Sequence, residues 1–520
     1  QHSQMLGFLV GILVGALSVL IFSVKWRHQK DSRALSLIPL SCPEKSVFFL
    51  GHAALLQNIL EGLKTLAVDN SMVDGLSRFN LLGKNVVCLT KAEHMKLVLT
   101  ASNHRDPLPI IQKHLAVMLG HKALVLLMRE EWKVMRKLVA KAFKLDYLKS
   151  IVTDVNDVVS TFNRALAAKT QAHPGQYFDL WPLMKCITVD VIGKTAFDFD
   201  FNCCQSLKSS EVAVAFEYML DSILSRQFDK PLDPRTYFYC YPSRENRAYK
   251  RAAATVRSTI DNIVSRRLKL RKSGHEDENS DLLKYLLDAY EDSSIAADTS
   301  NLTDTLITIL FGGFDTSSIT LTYAFYLMTQ HRDVEARCRK EALSVLGPDG
   351  PLHYDNLAEL PFCRAVINET LRLYPPAPLT VRSLEEPLDL PVDMRTHKDP
   401  NLRTESHTTV RLPTGTVVYI PVWWAHRNPS NFTDPDVFDP DRFFKPERAN
   451  SIHRYAHVAF SGGSRDCVGR RFAMNEAVAV FALILRRFTF ELEPGYELVP
   501  EPVGVVQKPK FGLPVRIRVL

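Results

Sequence analysis

Cysteine is scarce and irregularly placed in this chain: nine residues among 520, an odd number without paired spacing. That excludes a disulfide framework and leaves no zinc pattern. The expectation is reduced, mostly buried thiols in a cytosol-facing domain. Charge of one sign is also lacking. Lys and Arg number 64 against 57 Asp and Glu, a net +7. That excess is too small for this length to point to nucleic acid, though it suits acidic partners or anionic lipid. No internal repeat is present, and no linker divides the chain past residue 52. With 46% hydrophobic and 23% charged residues, the composition excludes wholesale disorder.

Residues 5–24, MLGFLVGILVGALSVLIFSV, lack charge altogether. As a helix they reach about 30 Å, the thickness of a bilayer core. Lys25, Arg27 and Lys30 follow the run and no Lys or Arg precedes it. The positive-inside rule therefore places the remainder in the cytosol, with Trp26 in the interfacial belt. The length of the run and the side of its basic flank argue against a cleaved signal peptide. Pro39 and Pro43 stiffen the segment that follows. The expected division is a transmembrane anchor at 5–24, a basic, proline-containing linker at 25–50, and one large domain at 51–520.

From about residue 90 to 375 the pattern is mostly helical, including 249–272 and 301–331. The polar stretch 273–281 reads as a surface loop. Residues 408–422 read as two short strands around a Pro-Thr-Gly turn, 468–490 as helix, and Val505–Leu520 as short strands. The fold class expected is mainly α with a minor β region.

The segment Phe460-Ser-Gly-Gly-Ser-Arg-Asp-Cys-Val-Gly469 resembles the cysteine signature F-x-x-G-x-R-x-C-x-G of the cytochrome P-450 family at every fixed position. Five such matches arise by chance in about one chain in 10⁴. The resemblance implies that Cys467 is the axial thiolate ligand of a haem iron, pushing electron density toward O–O cleavage. Gly463 and Gly469 would allow tight turns and close approach to the porphyrin. Backbone N–H groups at the start of the following helix can stabilise a thiolate. Arg465 offers a cation to a haem propionate, and Phe460 can pack beside the sulfur.

Glu369-Thr-Leu-Arg372 is similar to the family's E-x-x-R, and Pro440-Asp-Arg-Phe443 to its P-E-R-F, with Asp441 in place of Glu. Carried over, Glu369, Arg372 and Arg442 form a buried ionic cluster behind the haem. Trp132-Lys-Val-Met-Arg136 resembles W-x-x-x-R, whose two ends reach a propionate, and Arg382 falls where the family places another propionate ligand. Gly312-Gly-Phe-Asp-Thr-Ser317 resembles [AG]-G-x-[DE]-T-[ST]. Each interior helical glycine costs about 1 kcal/mol relative to Ala. Gly312 and Gly313 together suggest room for dioxygen at the haem, with Thr316 and Asp315 delivering protons.

The resemblance covers nearly the whole chain and implies the cytochrome P-450 fold, in microsomal, membrane-anchored form. The implied cofactor is heme b, iron protoporphyrin IX, with NADPH acting indirectly through a flavoprotein reductase. The implied reaction inserts one atom of O2 into a lipophilic small molecule at the endoplasmic reticulum membrane. ETLRLYPPAP and the HRNP at 426–429 broadly resemble fatty-acid-hydroxylating members. Phe311, Phe314, Leu379 and Thr380 are the expected pocket neighbours. A reductase-independent peroxide isomerase or dehydratase is the alternative enzyme, argued against by Asp315 and Thr316. A non-catalytic haem-binding protein is the alternative outside enzymes. Lys133, Lys137, Lys141 and Lys144 recur at helical spacing and, with Arg470 and Arg471, suit the docking of an acidic reductase. Residues 383–412, longer than the family's usual, read as a polar surface loop.

Overall fold

The structure, a computed structural model, describes residues 73–81, 84–102, 104, 109–224, 241–273, 281–291, 299–396, 403 and 407–520, with Leu35, Ile38, Gly62 and Thr65 as isolated positions. The apolar run 5–24, nearly all of the linker and the polar stretch 274–280 lie outside the described residues. Among the described residues, no helix is long and apolar enough to cross a membrane. The chain divides into two compact units, a smaller one of residues 1–106, 379–431 and 462–464, and a larger one of 107–378, 432–461 and 465–520.

In the smaller unit, β1 (Leu76–Leu81) pairs antiparallel with β2 (Lys84–Leu89), and β2 runs parallel to β7 (Val417–Ile420). The other edge of β7 pairs antiparallel with β4 (Thr380–Ser383). The two inner strands carry continuous apolar runs, Val-Val-Cys-Leu and Val-Val-Tyr-Ile, as a strand covered on both faces requires. Helix α1 (Ala92–Ala101) starts where the Asn431 side chain accepts from Ala92 N–H at 2.9 Å. Residues expected as a polar loop instead pair as an antiparallel ribbon, β5 (Leu388–Asp393) with β6 (His407–Leu412). The physical reason lies in the alternation of β5, where Leu390 and Val392 are buried and Asp389 and Pro391 exposed. A period of two makes a half-buried strand even in a polar segment. The strands expected at 408–422 are thus present, but they enter different sheets.

The larger unit is helical: α2 (Pro109–Leu119), α3 (Arg129–Ala142), α4 (Leu145–Ala172), α5 (Leu180–Phe197), α6 (Glu211–Leu224), α7 (Arg244–Lys272), α8 (Leu282–Glu291), α9 (Thr299–Gln330), α10 (Arg332–Leu346), α11 (Pro361–Leu373) and α12 (Arg470–Leu485). Strands β3 (Tyr177–Asp179), β11 (Pro514–Val519) and β8 (Phe488–Leu492) form one antiparallel sheet, and β9 (Pro500–Val503) with β10 (Val506–Pro509) a hairpin. The helical reading of 468–490 therefore ends at Leu485, and the chain re-enters as β8.

Helix α9 runs through the core although it is rich in hydroxyls. Thr305, Thr308, Thr316, Thr320 and Thr322 each donate to the carbonyl four residues back, at 2.7–2.8 Å. Back-bonding satisfies the hydroxyls without outside partners. Helix α5 lies against α9, and the Thr188 hydroxyl donates to Phe314 O at 2.8 Å. Helix α11 begins at Pro361, its missing N–H costing nothing at a first helical position. The Glu341 carboxylate accepts from Phe362 and Cys363 N–H at 2.9 and 2.8 Å, and Pro375 and Pro376 follow the helix.

Candidate functional site

Six of the seven described cysteines are buried, and Cys467 alone is exposed. Its N–H donates to Phe460 O at 2.9 Å, closing the loop on itself. Two residues on, Gly469 is the N-cap of α12, so the sulfur sits at the positive end of a helix dipole. Gly463 has φ +69, and a Cβ there would lie 1.8 Å from Leu99 O in the smaller unit. No side chain fits at that position. At Gly469 a Cβ would meet Cys467 Sγ at an ordinary 3.9 Å.

Within the larger unit, α3 supplies the flank of this loop. Trp132, Met135, Leu138, Val139 and Ala142 bury one face of α3, the spacing of an amphipathic helix. Buried Arg465 lies 3.9 Å from the Trp132 ring centroid and donates to Leu127 O at 2.9 Å. Arg136 donates to Asp466 O at 2.8 Å and to Asp466 Oδ1 at 2.6 Å. Trp132, Arg136, Arg465 and Cys467 are thereby gathered at one place, with Asp466 the partner that spacing did not signal. Arg382, in the smaller unit, is wholly buried in β4 and donates to Val381 O and Gly462 O at 2.9 and 3.1 Å.

Glu369 and Arg372 form a bidentate pair on α11 at 2.7 and 2.8 Å, both with no exposed surface. Arg442 Nε stands 3.4 Å from the same carboxylate, which also accepts from Asp439 N–H at 2.9 Å. The remaining donors of Arg372 and Arg442 reach the carbonyls of Pro435, Val437, Thr433 and Asp434. Burial pushes the Glu369 carboxyl up while Arg372 holds it back. Asp441, standing in for the family's Glu, turns instead to Arg337 and Lys445 at 3.0 and 2.9 Å.

On α9 the two glycines differ in use. Gly312 is exposed on a helix otherwise largely buried, and a Cβ there would meet nothing within 4 Å. Gly313 is a packing notch, where a Cβ would come 2.8 Å from Ile192 of α5. Phe311 and Phe314 each pack 5.6 Å from the Phe216 ring of α6. Leu379 and Thr380, expected beside them, belong to the smaller unit. Thr316 donates to Gly312 O at 2.8 Å. Asp315 is buried with its Oδ2 unpartnered among the described residues. Burial pushes its carboxyl up to about 6, with Lys185 pulling the other way. Two residues on, Ser317 donates to Glu476 Oε2 of α12 at 2.7 Å, and burial pushes that carboxyl up to about 8. Glu476 escaped sequence reading because it is one acid inside the apolar run of α12.

The chain belongs to the cytochrome P450 family, whose sequence profile matches residues 43–513. It has the mainly helical fold of that family and is a monooxygenase using heme b, with electrons from NADPH through a reductase. Among its relatives, "Cytochrome P450 4A2" of Rattus norvegicus is 31% identical over 451 residues, covering 84% of this chain and 81% of the relative. "Cytochrome P450 4A11" of Homo sapiens is 29% identical over 530 residues, 99% of this chain and 96% of the relative. "Taurochenodeoxycholic 6 alpha-hydroxylase" of Sus scrofa is 28% identical over 444 residues, 83% and 82%. The residues of the larger unit fit the cofactor. An exposed thiol at a helix start, a buried guanidinium stacked on Trp132 and an open notch at Gly312 are what a planar, anionic, iron-bearing ring requires.

Proposed function

We propose that Cys467 is the thiolate ligand of the haem, that Trp132, Arg136 and Arg465 receive a propionate, and that α9 presents Gly312, Thr316 and Asp315 to the oxygen-binding side. The observation that carries this reading is the exposure of Cys467 alone among the described cysteines, on a loop braced by Arg136 and Arg465. For Arg382 and for Gly463 the proposal rests on the family resemblance. Glu369, Arg372 and Arg442 hold the segment 433–442 against α11 and touch no substrate. Gly313 keeps α9 close to α5.

When bound, heme b supplies the redox chemistry by which one atom of O2 enters the substrate and the other leaves as water. The chain's own residues manage protons and water. Thr316 keeps its hydroxyl in the notch by donating to Gly312 O, which leaves its oxygen lone pairs to accept from water. Asp315, half-protonated near pH 6, can hold or release a proton at Oδ2 close to neutrality. Phe311 and Phe314 on the same stretch of α9 make an apolar wall with Phe216 of α6, which suits a lipophilic substrate.

The substrate we propose is a fatty acid or a similarly amphipathic lipid, supported by the motif wording at 369–378 and 426–429 and by the "Taurochenodeoxycholic 6 alpha-hydroxylase" among the relatives. We place the enzyme in the endoplasmic reticulum membrane, anchored once by residues 5–24, with the linker 25–50 and the catalytic domain 51–520 on the cytosolic side. The test is a reductase-supplemented membrane supplied with a lipid library. A fatty acid that shifts the haem spin state and yields a hydroxylated product in step with NADPH consumption supports the reading. Peroxide-driven product without NADPH use would assign an isomerase or dehydratase instead.

A further inference from the structure

Arg136 and Asp466 meet at the peptide that joins Asp466 to Cys467. Its carbonyl, Asp466 O, accepts from Arg136 Nη1 at 2.8 Å, and its N–H, that of Cys467, donates to Phe460 O at 2.9 Å. Both ends of one peptide plane are therefore held, from α3 on one side and from within the loop on the other. Arg136 Nη2 donates in turn to the Asp466 carboxylate, Oδ1, at 2.6 Å. The Arg136 side chain is 21% exposed and that of Asp466 40%, so water screens the pair only in part. Two nearby cations are engaged elsewhere: Arg465 is turned to Trp132 and Leu127 O, and Arg470 lies over the Phe460 ring at 5.5 Å. Asp466 is also the one acid between Phe460 and Asn475, a span that carries Arg465, Arg470 and Arg471. In F-x-x-G-x-R-x-C-x-G it fills a variable position, so no motif marks it.

We infer that Asp466 is a positioning residue acting through Arg136: it locks the guanidinium onto the peptide before Cys467 and, by balancing its charge, sets how readily the bound haem takes up an electron. This rests on the proposed ligation by Cys467 and extends it to an acid of this chain. A cation donating to a carbonyl polarises the peptide and strengthens the N–H donation at its other end. The carboxylate keeps two of the guanidinium's five donors in place, and the rest stay available to a propionate. Without Asp466 the fork loses one of its two anchors. Without Arg136 the acid stands uncompensated one residue from the sulfur. Negative charge there opposes the uptake of an electron, and positive charge favours it. The step concerned is the arrival of one electron from the reductase, and no bond forms or breaks at either residue.

The experiment is a spectroelectrochemical titration of the haem-loaded full chain, with the reduced carbon monoxide spectrum recorded for each variant. Asp466→Asn removes the anion and leaves the cation, so the midpoint potential rises, by about tenfold in the one-electron equilibrium or about 59 mV. Arg136→Gln leaves the anion bare, and the midpoint falls. The double variant, neutral on both sides, returns toward wild type. Lys137→Gln, which removes an exposed cation next along α3, leaves the midpoint in place because solvent screens it. A structural role alone would not move two variants in opposite directions and restore the midpoint in their combination. Should Arg136→Gln fail to load haem, the double variant must recover it, since the uncompensated acid is gone. A double variant that stays haem-free overturns the inference. So does an unchanged midpoint in Asp466→Asn, or a shift in Lys137→Gln as large as that in Arg136→Gln, and in these cases the ligation by Cys467 stands. If wild type lacks the red-shifted carbon monoxide band, the ligation itself is lost and this inference with it.

Discussion

A hydroxyl inside a helix normally spends its proton on the carbonyl four residues back, and Thr316 does so like the other threonines of α9. What separates it is its neighbour, since Gly312 carries no side chain and opens the helix there. Thr316→Ala removes the hydroxyl without filling that opening. Substrate-induced spin shifts should stay within about twofold of wild type, while much of the NADPH consumed passes to hydrogen peroxide, as loss of a proton-positioning group typically costs about 10²–10⁴-fold. Peroxide release and product measured against NADPH decide it, and unchanged coupling would move the proton route elsewhere. Gly312→Ala should pack without strain yet narrow the opening, whereas Gly313→Ala must displace Ile192. Loss of thermal stability is therefore expected for Gly313→Ala, whereas Gly312→Ala, a residue the family motif admits at that position, should keep turnover near that of wild type.

At the scale of elements, α11 and α12 are tied to their surroundings by buried acids, ion-paired in Glu369 and hydrogen-bonded in Glu476. Removing Glu369 leaves Arg372 and Arg442 uncompensated, a cost of roughly 3–5 kcal/mol, a large share of ordinary stability. Glu369→Ala or Arg372→Ala should lower the thermal midpoint and the haem content together, and normal values for both would contradict the cluster. Glu476 joins α12 to α9 through Ser317 and carries a pH signature. Its carboxyl binds a proton more tightly folded, at about 8, than at the ordinary 4.5. The stabilisation is full below about 4.5 and is lost as pH rises through 8, at no more than about 1.4 kcal/mol per pH unit. Glu476→Gln should flatten the decline of thermal midpoint between pH 5 and 8. These elements also show what the sequence could reveal. The cysteine loop and the Glu369–Arg372 pair were legible because local backbone and helical spacing define them. Asp466 under Arg136, Glu476 under Ser317 and Lys185 beside Glu217 were not, because each pair joins segments whose meeting only tertiary packing decides. The β5–β6 ribbon was passed over because its polarity hid the alternation of Leu390 and Val392.

For the whole molecule, the net charge of +7 is unevenly displayed. On α3, Lys133 is offset by Glu130 at 2.6 Å, while Lys137, Lys141 and the following Lys144 are exposed with no ion pair among the described residues. Arg470 and Arg471 are exposed at the start of α12, just past Cys467. A docked acidic reductase would meet these cations first. Charge reversal at Lys137 and Lys141 should slow reduction several-fold at low salt and much less at high salt, and salt-independent kinetics in the variant would remove that docking face. All of this depends on the proposed bond from Cys467 to the haem iron. The most direct measurement is the absorption spectrum of the reduced carbon monoxide complex of Cys467→Ser beside wild type. The wild-type protein should show the red-shifted Soret band of a thiolate-bound haem, and the serine variant should lose both that band and NADPH-dependent turnover. A serine variant that kept the red-shifted band would show that another residue holds the iron.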